Sequence, residues 1–255
     1  MKKFNLPLVG GLPPMHAGMI VQIFVTLAVS LFALRLSAGL LAWRTANKLE
    51  QPSYEVMKTL PLPGRGRGCC VELRKYSPYL IAETTVDESS MRKAGGVGFG
   101  RCASYIFGKN LSRGDKDSPE KMAMTSPVRS VGSSESMAMT APVRGSTSSS
   151  SGKTKISFVI GSKYNLRNVP RPVDRAVTVK KVNGHFLAAT SFSGPPPSDE
   201  KVAQERQDIV AALQNEGIRV TNKDEVVVYG YHDPIITPNI LRKNEVGIMI
   251  DGSGL

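Results

Sequence analysis

Hydrophobic and polar positions divide this chain into two unlike regions. From Gly18 to Trp43 a single charge, Arg35, interrupts the apolar residues, and 13 positions between Ile20 and Leu41 are Leu, Ile, Val or Phe. A run of that length crosses a bilayer as a helix. At roughly 0.3–0.6 kcal/mol each, these side chains favour insertion by about 4–8 kcal/mol, against roughly 2.5–3.5 kcal/mol for a central Arg. Arg35 lies nearer the C-terminal end, where its side chain can snorkel to the interface. Trp43, Arg44 and Lys48 follow as interfacial groups. Lys2 and Lys3 flank the other side, which leaves orientation open. A cleavable leader has a similar outline, but this run is long for one and no small-residue cleavage site stands out. Gln22, Thr26, Ser30, Ala33 and Ser37 fall on one stripe of this helix, and a small, weakly polar face suits packing against another transmembrane helix. The expected organisation is an N-terminal flank at 1–17, a transmembrane anchor at 18–43, a linker at 44–53, a domain at 54–251 and a tail at 252–255.

Beyond the linker, alternation of period two replaces the continuous apolar run. It predicts strands near 54–58, 71–76 and 79–86. A glycine-rich approach, Gly95-Gly96-Val97-Gly98, leads to a helix near 99–107. A strand is expected near 155–161, then strands near 176–182 and 185–193, a helix near 198–216, and strands near 225–231 and 245–250. Ser198-Asp199-Glu200 has the chemistry of a helix start and Gly217 that of a stop. Ser146–Gly152 is a low-complexity tip. The order strand, strand, helix, strand occurs twice, which makes the domain α+β.

One phrase is written twice. Residues 121–129 read Lys-Met-Ala-Met-Thr-Ser-Pro-Val-Arg, and 136–144 read Ser-Met-Ala-Met-Thr-Ala-Pro-Val-Arg. As extended segments joined through Gly132, Ser133 and Ser134, they predict a hairpin whose methionines share a face. The repeated Met-x-Met-Thr-x-Pro-Val resembles the signature of the SOUL haem-binding protein family. Other segments resemble that family in its order: Val71–Tyr76 with Pro78–Thr84, Tyr105–Asn110, Ile156–Ile160, Pro170-Arg171-Pro172, Phe192-Ser193-Gly194, and Tyr231–Pro234 through Arg242–Val246. The likeness spans roughly 52–251 and is nearest to plastid-type members. Ile235-Ile236 departs from the pattern, which often has a proline and an aromatic there.

The resemblance implies a distorted antiparallel β-barrel flanked by two helices, with internal pseudo-twofold symmetry. It also implies a haem or related tetrapyrrole as ligand, and a chloroplast membrane (thylakoid or envelope) as address; the first fifty residues lack the Ser- and Arg-rich composition of a transit peptide. The implied pocket places Phe99, Cys102, Ala103 and Ile106 on one side and Ile235 and Ile236 opposite, with Arg101 or Arg242 meeting the ring's propionates.

Charge and chemistry narrow the function. The formal charge is +12. Residues 1–50 hold five basic and one acidic residue, so 51–255 hold 28 and 20. The basic residues are scattered and accompany no nucleic-acid-binding motif, so anionic surfaces and ligands are the expected partners. Cys69, Cys70 and Cys102 do not make a disulfide framework. No hydrolase elbow, zinc-protease motif, phosphate loop or Cys-x-x-Cys is present, and a non-catalytic protein is expected. Met122, Met124, Met137 and Met139 could ligate Cu(I), but two i, i+2 pairs on neighbouring strands are expected to be packing. His16, His185 and His232 are the only histidines, and with so few the resemblance implies binding without an obligatory axial histidine. Two readings stand at this point: a membrane-tethered tetrapyrrole-binding protein, or a non-catalytic accessory subunit docked on a membrane complex.

Overall fold

The computed structural model describes residues 17–62, 65, 69–113, 118–133, 153–222 and 225–254. Helix α1 (Ala17–Ala46) is followed by strands β1 (Tyr54–Pro61), β2 (Cys70–Tyr76) and β3 (Tyr79–Val86). Helix α2 (Met91–Ile106), β4 (Asn110–Leu111), β5 (Val128–Ser133), β6 (Thr154–Ile160) and β7 (Arg171–Pro172) come next. The chain closes with β8 (Val177–Val182), β9 (His185–Ser193), α3 (Asp199–Asn215), β10 (Glu225–Gly230) and β11 (Lys243–Ile250).

Nine strands form one curled antiparallel sheet in the order β1-β2-β9-β11-β10-β5-β6-β3-β8. The order β2-β9-β11-β10 is matched about a pseudo-twofold axis by β8-β3-β6-β5, and β1 is an added edge. Strand period two gives the sheet two different faces. On the outer face α3 covers the first half, over Leu60, Leu73, Val226, Val246 and Ile248. α2 covers the second half, over Leu80, Ala82, Phe158, Ile160 and Val177. The inner face carries Tyr76, Leu187, Val227, Tyr229 and Tyr231. The expected α+β architecture, a distorted antiparallel barrel with two flanking helices, is observed as a curled half-barrel sheet carrying α2 and α3.

α3 starts where its cap chemistry places it: Ser198 Oγ accepts the Lys201 N–H at 3.3 Å, with Asp199 and Glu200 in the first turn. It stops before Gly217, whose φ of +69° suits a residue without a Cβ. α2 departs from expectation, because it begins at Met91 and contains the glycines that were read as its approach. Ala94, Gly98, Cys102 and Ile106, spaced four apart, form its buried stripe. A Cβ at Gly98 would stand 2.4 Å from Ile156 Cγ1, so glycine here lets the helix lie close on β6.

The methionine phrase also departs. Its first copy is irregular, and β5 begins only after Pro127, with Gly132 and Ser133 inside that strand. Its backbone groups find partners outside any ladder. Met122 N–H donates to Ile106 O, Ser126 N–H to Glu50 O, and Thr125 Oγ to Val159 O. Met122 is buried among Cys102, Ile106 and Phe158, and Met124 packs against the same cluster. The second copy, and with it the expected hairpin, lies outside the described residues.

The segment after α1 is tied to the domain. Glu50 pairs with Thr125, and its Oε1 accepts the Ser162 N–H at 2.7 Å. In the last turns of α1, Gly39 is buried and Ala42, Trp43 and Ala46 are half-buried, at i, i+3, i+4 and i+7 spacing. A Cβ at Gly39 would meet Pro238 Cδ at 2.7 Å and Ile236 O at 2.9 Å. This edge of the helix therefore rests on the loop between β10 and β11, the closing loop.

Candidate functional site

The eight residues expected to line a pocket fall into two groups. Cys102, Ala103 and Ile106 are buried against the sheet in the seam beneath α2. Phe99 is exposed on that helix, with its ring edge-on to Phe158 at 5.1 Å. Arg101 is half-buried, with Nη1 3.5 Å from Thr84 Oγ. The second group belongs to the closing loop. Ile235 is 76 % exposed and Ile236 49 %. Arg242 is buried, and its Nε donates to Thr237 O at 2.6 Å, bracing the loop from within. The loop is shaped by Asp233, whose Oδ1 accepts the N–H groups of Ile235 and Ile236 at 2.7 and 2.8 Å. α2 packs on β3, β5, β6 and β8, whereas this loop rests on α1.

Sequence reasoning did not single out the inner face. Arg74 and Glu245, 1 % and 0 % exposed, form a two-pronged ion pair with both N···O distances 2.8 Å. Glu245 also accepts from Tyr231 Oη at 2.6 Å and Ser191 Oγ at 2.8 Å, and Lys243 Nζ lies at 2.9 Å. Burial raises the carboxyl pKa, but the Arg74 hydrogen bonds and charge outweigh it and hold the group at about 2. The Tyr231 hydroxyl is pushed up by burial and by that carboxylate. Arg74 Nε donates to Glu72 Oε2 at 2.8 Å, and its guanidinium lies 4.5 Å above the Tyr54 ring. An acid held so low is poorly matched to proton transfer near neutral pH. The network instead clamps β2, β9 and β11 together. The signal was present as alternation: Glu72-x-Arg74-x-Tyr76, Tyr229-x-Tyr231 and Lys243-x-Glu245 each put polar or aromatic groups on one face.

Farther along this face Tyr79 is half-buried and Tyr229 fully buried beside Arg129, and desolvation pushes both hydroxyls up. A concavity of about 200 Å³ opens there, with Arg129, Lys155, Lys180 and Lys181 facing Glu83 and Glu225. A second, shallow groove of about 620 Å³ lies by Phe186, Arg219, Val220, Met249 and Ile250. Neither includes any of the eight expected residues.

The family model described as "SOUL heme-binding protein" matches residues 49–249. The chain belongs to the SOUL haem-binding family. It is similar to "Heme-binding protein 2" of Homo sapiens, at 26 % identity over 205 residues, covering 80 % of this chain and 87 % of that one. Its fold is similar to the crystal structure of the EcmrR C-terminal domain, with a TM-score of 0.50 at 6 % identity, covering 72 % of this chain and 98 % of that one.

The described histidines and Cys102 of this SOUL protein differ in how far their donor atoms are already engaged, and His185 Nε2 has no hydrogen-bond partner among the described residues. His232 Nδ1 accepts the Lys243 N–H at 3.0 Å, so Nε2 carries the proton and faces Asn47 Oδ1 at 3.3 Å. Both nitrogens are engaged. Burial and the Lys243 charge keep this imidazole below its ordinary pKa. His185 is stacked on Tyr76 with centroids 5.0 Å apart, and its Nδ1 lies 2.9 Å from Asn183 O. Burial and then the charge of Glu83 push the Cys102 thiol up to about 12, which keeps it protonated near neutral pH. His16 lies outside the described residues. The exposed apolar groups on the two candidate elements are Val97, Phe99 and Phe107 at α2, and Ile235, Ile236 and Ile240 at the closing loop.

α1 is long and apolar enough to cross a membrane over Gly18–Ala46, with a mean hydropathy of 2.1 in its most apolar 18-residue stretch. Its small-residue stripe is exposed throughout. Thr26 and Ser37 donate their hydroxyls to Gln22 O and Ala33 O, one turn earlier. At about 100° per residue, that stripe lies roughly opposite the docked edge Gly39, Ala42, Trp43 and Ala46.

Proposed function

We propose that this chain is a membrane-tethered SOUL protein that binds haem or a related tetrapyrrole, for buffering, delivery or sensing, without catalysis. Family membership over residues 49–249 carries this reading. Engagement of both His232 nitrogens supports apolar and ionic capture of the ring without that histidine as an axial ligand. Phe99, Ile235 and Ile236 are the proposed contacts and Arg101 the proposed propionate partner. Arg242 acts as the brace of the loop, and Cys102, Ala103 and Ile106 shape the helix that presents Phe99. A chloroplast membrane is the proposed location on the resemblance to plastid-type members alone.

Haemin titration of the full-length protein tests the reading. The wild type should give a Soret change that saturates in the micromolar range. A variant carrying His16→Ala, His185→Phe and His232→Ala should keep it, and Ile235→Ser with Ile236→Ser should weaken it about tenfold. A Soret change lost with the histidines would show axial ligation. No change in the wild type would favour the second reading, an accessory subunit of a membrane complex. The composition of α1 supports that second reading: small, weakly polar side chains from Gln22 to Ser37 share one stripe, roughly opposite the docked edge.

A further inference from the structure

We propose that the closing loop is a membrane-inserting element, with Ile235 and Ile240 seated at the boundary between headgroups and hydrocarbon beside α1. The inference rests on the tether reading and adds a second contact with the bilayer, made by the domain itself.

Position along the helix carries the argument. The exposed apolar run of α1 extends from Met19 to Leu41, and its midpoint is Ser30. A hydrocarbon core of ~30 Å takes ~20 residues at ~1.5 Å each, so a core centred on Ser30 ends at about Leu40. Gly39 is therefore at the edge of the hydrocarbon. At that residue the loop touches the helix, with Pro238 Cδ 2.7 Å and Ile236 O 2.9 Å from where a Cβ would be. Whatever lies against Gly39 shares its depth.

The loop is built for that depth. Ile235 and Ile240 are 76 % and 82 % exposed, and they flank the two residues, Ile236 and Pro238, that meet the helix at Gly39. Three large aliphatic side chains within six residues at a surface in water would be costly. In the interfacial layer they leave water, which the burial of apolar surface favours. Several of the loop's backbone N–H groups are bonded within it, which lowers the cost of a lipid-facing position: Asp233 Oδ1 accepts those of Ile235 and Ile236, Thr237 N–H donates to Asp233 O, and Arg242 N–H donates to Asn239 O. Arg44 and Lys48, exposed just past Gly39, are placed for lipid phosphates. The docking is fixed by Glu50 and by the contact of Asn47 with His232, so the loop cannot easily swing away from the helix. A ring bound against Ile235 and Ile236 would on this geometry be entered from the lipid side.

The chain has one tryptophan, Trp43, which makes a depth measurement direct. The full-length protein is reconstituted into phosphatidylcholine vesicles whose acyl chains carry bromine near the headgroups, and tryptophan quenching is read. The unmodified chain reports on the anchor. Trp43→Phe combined with Ile240→Trp, and separately with Ile235→Trp, reports on the loop. Trp43→Phe combined with Leu166→Trp, at an exposed position in another loop, is the control. The expected result is quenching at 240 or 235 to the extent seen at Trp43, with the control unquenched. Quenching at Trp43 with both loop probes in water would overturn the insertion while leaving the tether intact. Equal quenching at 166 would overturn it as a property of this loop. An unquenched Trp43, in a protein released from the vesicles by alkaline carbonate, would refute the tether, and the insertion would fall with it.

Discussion

Glu245 concentrates more of this fold's electrostatics than any other described residue. Its two oxygens receive Arg74, Tyr231, Ser191 and Lys243, which fills the acceptor capacity of a carboxylate. Its folded pKa of about 2 lies below the ordinary 4.5. The stability that this shift contributes, on the order of 3 kcal/mol, is fully present above about pH 4.5 and is lost as pH falls toward 2. Glu245→Gln should therefore melt lower than wild type at pH 7, by an amount in the range of about 3–5 kcal/mol for a broken buried pair. The two proteins should converge as pH drops from 5 to 2.5 in thermal melts. Parallel melting curves across that range would mean that Arg74 is not held by this charge. These residues were visible in the sequence only as alternation. Which of several alternating strands face each other depends on the sheet order, and no spacing within one strand contains that.

At the scale of elements, α2 shows why glycine-rich stretches mislead. Gly95, Gly96 and Gly98 cost helix propensity at roughly 1 kcal/mol each relative to alanine, and a reading by propensity starts the helix after them. The helix forms through them because burial of Ala94, Gly98, Cys102 and Ile106 on the sheet outweighs that cost. The glycines are not equivalent. A Cβ at Gly96 meets nothing within 4 Å, whereas at Gly98 it overlaps Ile156 at 2.4 and 2.5 Å. Gly96→Ala should raise stability by up to about 1 kcal/mol, and Gly98→Ala should lower it by about 1–3 kcal/mol. Urea unfolding of the two variants decides this, and a stabilised Gly98→Ala would mean that α2 stands off from β6. The methionine phrase misled for a different reason. Its inward-facing Met122 was legible from residue type, but its backbone partners, Ile106 and Glu50, lie on other elements, so its irregular path was not. α3, with a cap, an acidic first turn and a terminal glycine all in the local sequence, was read almost to the residue.

For the whole molecule, the question is how much of the domain depends on what precedes it. The Ser126 and Ser162 N–H groups are bonded to Glu50, ahead of β1. Removal of residues 1–46 should leave a domain that melts cooperatively near the temperature of the full chain. Removal of 1–52 also takes away three hydrogen bonds, two to Glu50 and one between Asn47 and His232, worth roughly 1 kcal/mol each, which in a domain of this size is about 2–4 °C per kcal/mol. Calorimetry of the two truncations in mild detergent should show that step, and equal melting temperatures would make Glu50 a passive linker residue. The continuity of α1 from its apolar run into the docked turns has a mechanical consequence. A helix longer than the hydrocarbon thickness tilts, and a domain seated on that helix without a hinge must lean by the same angle. Over an arm of roughly 30 Å, each 10° of lean shifts the far edge of the domain by about 5 Å. The thickness of the surrounding lipid would then act as a dial for the height and attitude of the barrel's open side above the membrane.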